Sequence, residues 1–98
     1  MVVVVNAKYT RGPAYLWQTS YPNGSIAIQG LSEEGEPLFV ATVALDELPP
    51  EGCVFLKGWS ENTGIPEALE AAGIVKRTGR TIPTGYCAAQ EARLLVEL

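Results

Sequence analysis

The densest run of reactive side chains in the sequence is Lys76-Arg77-Thr78-Gly79-Arg80-Thr81, with three cations, two hydroxyls and a glycine in six residues. Guanidinium forks beside turn N–H groups suit a phosphate or carboxylate, so Lys76, Arg77 and Arg80 form a candidate anion-binding turn. The run matches neither the G-x-x-x-x-G-K-[ST] phosphate loop nor the dinucleotide fingerprint. The competing reading is a solvated turn whose cations pair with Glu61, Glu67 or Glu70. A second set is acidic: Glu33, Glu34 and Glu36, followed by Asp46 and Glu47. Carboxylates at a water-exposed hairpin tip keep ordinary pKa values and make poor acid catalysts, so these read as a charged contact surface. A third set is aromatic. Tyr15 and Trp17 share one strand face, and such side chains anchor interfaces because they bury large area at low entropic cost. Cys53 and Lys57 also share a strand face, and a cation beside a thiol lowers its pKa. The plainer reading of Cys53 and Cys87 is two small hydrophobes in apolar stretches.

The composition removes much other chemistry. Histidine is absent, and with it go the Ser-His and Cys-His nucleophile pairs and the commonest transition-metal ligand. Two cysteines cannot build a four-cysteine zinc site. The expectation is a non-catalytic protein with no cofactor and no metal. Its 98 residues form a single domain, 1–98, with a net charge of −4 from eleven acids against seven bases. Residues 12–56 hold no Lys or Arg and contain six of those acids. Such a one-signed central third repels nucleic acid and attracts a cationic protein, so no direct nucleic-acid binding is expected. No apolar run approaches the ~20 residues of a membrane-spanning helix. The opening Met1–Asn6 is too short for a signal-peptide core and lacks a basic leader, which points to a cytoplasmic chain with reduced thiols. A Cys53–Cys87 disulfide would need neighbouring strands with Cα atoms ~5.5 Å apart.

The elements that must carry these residues are mostly strands. Residues 2–9 are β-branched and aromatic and end at Gly12-Pro13. Tyr15, Trp17 and Thr19 fall on one face of the next strand. Tyr21-Pro22-Asn23-Gly24 is a turn, Ser25–Gln29 a strand, and Ser32–Glu36 a hairpin loop with Gly35 in the left-handed position. Pro37–Leu45 is apolar on both parities, as in a central strand covered on both sides or one with few solvent-facing positions. Cys53–Lys57 is a fifth strand. Ile65, Ala68, Leu69 and Ala72 recur with helical spacing and predict a short helix over about residues 64–72. Thr63 is the expected N-cap, with Asn62 as the alternative, and Gly73 the left-handed ending. Ile74–Arg77 reads as a short strand followed by turns at 78–81 and 83–85. Ala88–Ala92 favours helix by propensity and Arg93–Glu97 favours strand, leaving 86–92 open between the two. Trp59 is expected as a lid over the sheet–helix core. The whole predicts an α+β domain, an antiparallel sheet of five to seven strands with one short helix packed on a face.

Trp59-Ser60-Glu61-Asn62, Ala72-Gly73-Ile74-Val75 and Thr78-Gly79-Arg80-Thr81-Ile82-Pro83-Thr84-Gly85 carry a resemblance. Over roughly residues 36–96 the chain resembles a family of small bacterial proteins, of uncharacterised activity, found on plasmids, phages and other mobile elements. That likeness implies an accessory role in conflict between a mobile element and its host. Joined to the acidic and aromatic surfaces, it suggests a protein-interaction protein. In its sharpest form this is an anti-CRISPR-like inhibitor that blocks a cationic nucleic-acid-binding complex through Glu33, Glu34, Glu36, Asp46, Glu47, Tyr15 and Trp17. The alternatives are a module for a small anionic ligand at 76–81, or a structural accessory protein of a phage or plasmid.

Overall fold

In the first half of the chain, short turns separate runs of β-branched and aromatic residues, and these runs pair in sequence order. The computed structural model describes all 98 residues. Strands β1 (Val2–Asn6), β2 (Arg11–Ser20), β3 (Ile26–Leu31) and β4 (Pro37–Val40) form a four-stranded antiparallel meander. The turn after β2 closes as its residues predict. Tyr21 N–H donates to Ser25 O and Gly24 N–H to Tyr21 O, and Asn23 Oδ1 accepts from both the N–H and the hydroxyl of Ser25. The β3–β4 loop closes through Ser32, whose backbone and hydroxyl both engage Glu36.

Strands β5 (Cys53–Leu56), β6 (Val75–Thr84) and β7 (Cys87–Leu94) form a second antiparallel sheet, in the order β5-β7-β6. Residues 41–43 connect the two sheets. Ala41 N–H still bonds to Ile28 O of β3 at 2.8 Å, while Lys57 N–H bonds to Ala41 O and Val43 N–H to Phe55 O. At the crossover the side chain of Thr42 replaces a ladder partner: its Oγ1 accepts from Ile28 N–H at 3.1 Å. Tyr21 hydroxyl donates to Thr42 O at 3.1 Å from across the sheet.

The predicted strand over 37–45 is therefore two pieces, β4 and a segment that changes sheets. Nor is it covered on both sides: Phe39 and Ala41 are buried, but Leu38 and Val40 are exposed. Phe39 lies directly over Gly30, where a side chain on β3 would occupy the space of the ring.

The helix α1 spans Ile65–Ala71, two turns within the predicted range. Its N-cap is Gly64 at φ 89° rather than Thr63. Thr63 Oγ1 instead donates to Ser60 O, and Asn62 is buried in the preceding 3-10 turn, Ser60–Asn62. The C-terminal end follows the prediction. Gly73 lies at φ 77°, Gly73 N–H bonds to Glu70 O, and Ile74 N–H bonds to Leu69 O. Ile65, Leu69 and Ile74 are buried in the main core beside Val3 and Val5 of β1, Leu16 of β2, and Val54 and Leu56 of β5.

Two further expectations are corrected. Residues 74–85 are not a strand followed by two turns but one ten-residue strand, β6, interrupted by a bulge between Arg77 and Thr81. Trp59 does not cover the helix. It packs on a smaller cluster of Phe55, Ile82 and Ala89, with Lys57 Nζ 5.9 Å from its ring centre. The open segment 86–92 is strand from Cys87 onward, because pairing with both β5 and β6 overrides the alanine-rich helix propensity.

Candidate functional site

Strand register assembles the surface that best fits an interaction site. Val2 faces Tyr15, and Tyr15 faces Leu31; one step along, Trp17 faces Gln29, and Gln29 faces Val40. Directly opposed residues share a sheet face, so these side chains project together from the side away from the core. Their exposures confirm it: Val4 76%, Trp17 58%, Val2 50%, and Tyr15, Leu38 and Val40 39% each. An antiparallel sheet with one solvated face ordinarily alternates apolar inward and polar outward. Here β1, β2 and β4 break that rule on the same side, while β3 presents Gln29 and half-buried Leu31 between them. The result is a largely apolar face across the four-stranded sheet, with Trp17 and Tyr15 near its centre.

The predicted acids divide into two groups. Glu33, Glu34 and Glu36 stand exposed on the β3–β4 hairpin and join no ion pair, so they rim one corner of this face. Asp46 is exposed in the loop after the sheet crossover. Its neighbour Glu47 is engaged, its Oε2 accepting from Arg80 Nη2 at 2.7 Å. The five acids therefore do not make one patch, and Glu47 belongs to the second sheet's ion-pair network.

That network also accounts for the basic segment. Arg77 Nε and Nη2 both donate to Glu70 Oε1, at 3.2 and 2.8 Å, and the backbone N–H of Arg77 donates to Glu70 Oε2 at 2.7 Å. The Arg77 side-chain bonds, followed by its backbone N–H, hold the Glu70 carboxyl down to about 2 from 4.5. Arg80 Nη1 donates to Glu91 Oε2 at 2.7 Å, while Thr78 hydroxyl donates to Glu91 Oε1 at 3.0 Å. The Arg80 hydrogen bond lowers the Glu91 carboxyl, against the opposing effect of burial. Both arginines thus already hold carboxylates, and an external anion would have to displace them. Lys76 is exposed and outside these pairs.

Cys53 and Cys87 are free thiols. Their strands are neighbours, but Cys53 faces Arg93 and Cys87 faces Thr84, six residues apart along β7, so a bond between them is out of reach. Nowhere do three His, Cys, Asp or Glu side chains converge as a metal site requires. No helix is long and apolar enough to cross a membrane.

Sequence reasoning placed Tyr15 and Trp17 on one face but missed Val2, Val4, Leu38 and Val40. The available signal was apolar character on both parities of strands β1 and β4. For residues 37–45 it suggests cover on both sides or few solvent-facing positions, whereas in both strands it marks one buried face and one uncovered face. No family model, no curated protein and no solved structure matches the chain.

Proposed function

We propose that this protein acts by binding another protein, not by catalysis, and that its contact surface is the outer face of strands β1–β4. The single observation that carries this reading is the set of exposed apolar side chains that β1, β2 and β4 present on one side of the sheet, with Trp17 and Tyr15 at its centre. A folded monomer rarely leaves a contiguous apolar patch larger than a few hundred Å² open to water without a use for it. Aromatic anchors at the middle of such a patch are the usual carriers of binding energy.

Glu33, Glu34 and Glu36 at one corner favour a partner with a basic rim. In its sharper form the protein is an accessory protein of a mobile element that docks on a cationic nucleic-acid-binding defence complex. The support for that form is the acidic hairpin and the resemblance of the 59–85 segment. The hairpin is a single pole of charge, whereas a duplex presents one charge per ~1.7 Å along its axis. Apolar contact therefore supplies most of the affinity, and charge mainly steers the encounter.

Tagged protein used to capture its partner from a bacterial lysate tests this directly, with association and dissociation then measured on the purified pair. Tyr15→Ala with Trp17→Ala should speed dissociation. Glu33, Glu34 and Glu36 changed to Lys should slow association and reduce its salt dependence. Retention of the partner with unchanged rates by both sets would refute the reading and direct attention to Lys76, the uncommitted cation of the basic strand.

A further inference from the structure

We propose that in the free protein the outer face of β1–β4 is covered by a second copy of the chain, related by a two-fold axis parallel to the strands. This rests on reading that face as a contact surface, and it names what covers the face when no other protein does.

Size permits it. Strands of five, ten, six and four residues, at ~3.4 Å along and ~4.8 Å across per residue, give a flat footprint on the order of 400 Å². That is about half of the ~800 Å² per partner of a standard interface, the size of a weak, reversible contact. Two such faces stack ~10 Å apart, as the sheets of a sandwich do.

Charge selects the copy and its orientation. Asn6 faces Arg11, so the cation at the start of β2 sits at one end of the sheet on its β1 side, with Lys8 in the adjoining turn. Tyr15 faces Leu31 and Leu31 faces Pro37, so the 32–36 hairpin projects from β3–β4 toward that same end. One end of the sheet therefore carries two cations at its β1 side and three acids at its β4 side. None of the five enters an ion pair within the chain. A two-fold axis along the strands keeps the ends together and exchanges the sides. Each Lys8–Arg11 corner then lies over the Glu33–Glu36 corner of the other copy, and the contact occurs twice, closing the assembly. The two-fold axis across the strands would instead set the charged end over the β2–β3 end, where Glu97 and the C-terminal Leu98 lie beside Gln18, Thr19 and Ser20 and offer the three glutamates acid rather than a cation.

Sedimentation equilibrium of the full chain over a concentration series tests the proposal. The expected result is a reversible monomer–dimer equilibrium, which Trp17→Lys shifts to monomer while circular dichroism stays as in the parent and the urea midpoint matches that of the parent diluted to monomer. Two charge variants then decide the orientation, both confined to exposed turns and a strand end. Lys8→Glu with Arg11→Glu places acid on acid, and Glu33, Glu34 and Glu36 changed to Lys places base on base. Each should weaken self-association by about ten-fold or more, and an equimolar mixture should restore it as a mixed dimer, because every contact then joins opposite charges. A chain that stays monomeric up to about millimolar concentration overturns the proposal. So does a mixture that associates no better than its components. Neither result alters the capture experiment above, in which the same face meets a different protein.

Discussion

Asn62 is buried, yet its amide nitrogen donates to Val40 O at 2.6 Å and to Lys57 O at 3.1 Å, tying β4 to the residue that follows β5. The asparagine of the Trp59–Asn62 string thus has a structural task, and so does its neighbour Glu61, which accepts from Lys57 Nζ at 2.6 Å. Gly30 is equally constrained, because a Cβ there would overlap three ring carbons of Phe39. Phe39 is in the main core, so the ring has little room to yield. Gly30→Ala should destabilise the protein by roughly 1–3 kcal/mol in urea unfolding, the cost of overpacking. A neutral result would mean that the ring does not rest on β3. The Glu70–Arg77 pair makes a prediction about acid. The folded carboxyl titrates at about 2 rather than 4.5, so its stabilising contribution is complete above pH 4.5 and disappears as pH falls through about 2. Between those values the melting temperature of the parent should fall more steeply with acid than that of Glu70→Gln. Parallel curves would show that the pair contributes nothing in solution. Neither pair to Arg80 was legible in the sequence, since Glu47 lies 33 residues away and Glu91 faces it across a bulged ladder. Arg77 with Glu67 and Glu70 was legible, because the strand returns directly alongside the helix that carries them.

The helix α1 has two turns, too few to be stable in isolation, so its buried face must hold it. Leu69 is fully buried in the main core, and Leu69→Ala should cost about 2–5 kcal/mol by urea unfolding. A loss below about half a kcal/mol would mean that the helix face contributes little packing. Its existence, its stripe and its glycine ending were all readable, because helical spacing and the Gly73-Ile74 ending are local signals. Its start was not. Thr63 has the right chemistry for an N-cap, but the 3-10 turn before it takes its hydroxyl, and Gly64 enters the helix from the left-handed region. The hairpins at 21–25 and 32–36 were readable for the same local reason. The passage of residues 41–43 from one sheet to the other was not, because side-chain alternation runs on unbroken while the hydrogen-bond partner changes. Strand β6 was misread because Gly79 and Pro83 signal turns. A bulge accommodates Gly79, and Pro83 needs no ladder donor because β6 is an edge strand.

At the scale of the whole molecule, the α+β class followed from composition and pattern, while the candidate site followed only in part. Tyr15 and Trp17 were legible because residues two apart in a strand share a face. The rest of that face comes from β1 and β4, and only the register of three successive ladders brings them together. The acidic middle third of the chain likewise does not become one acidic region. Glu33, Glu34 and Glu36 crown the first sheet, whereas Glu47 is bound to Arg80 of the second. The central claim is that the outer face of β1–β4 is where this protein meets a partner. Hydroxyl-radical footprinting of side chains, on the dilute free chain and on the chain bound to its captured partner, tests it most directly. The account predicts that Trp17, Tyr15 and Val4 are oxidised in the free chain and protected in the complex, while Tyr86 at the tip of the β6–β7 hairpin stays equally reactive in both. Unchanged oxidation of Trp17 and Tyr15 in the complex, with protection appearing at Tyr86 or along residues 76–81, would contradict it.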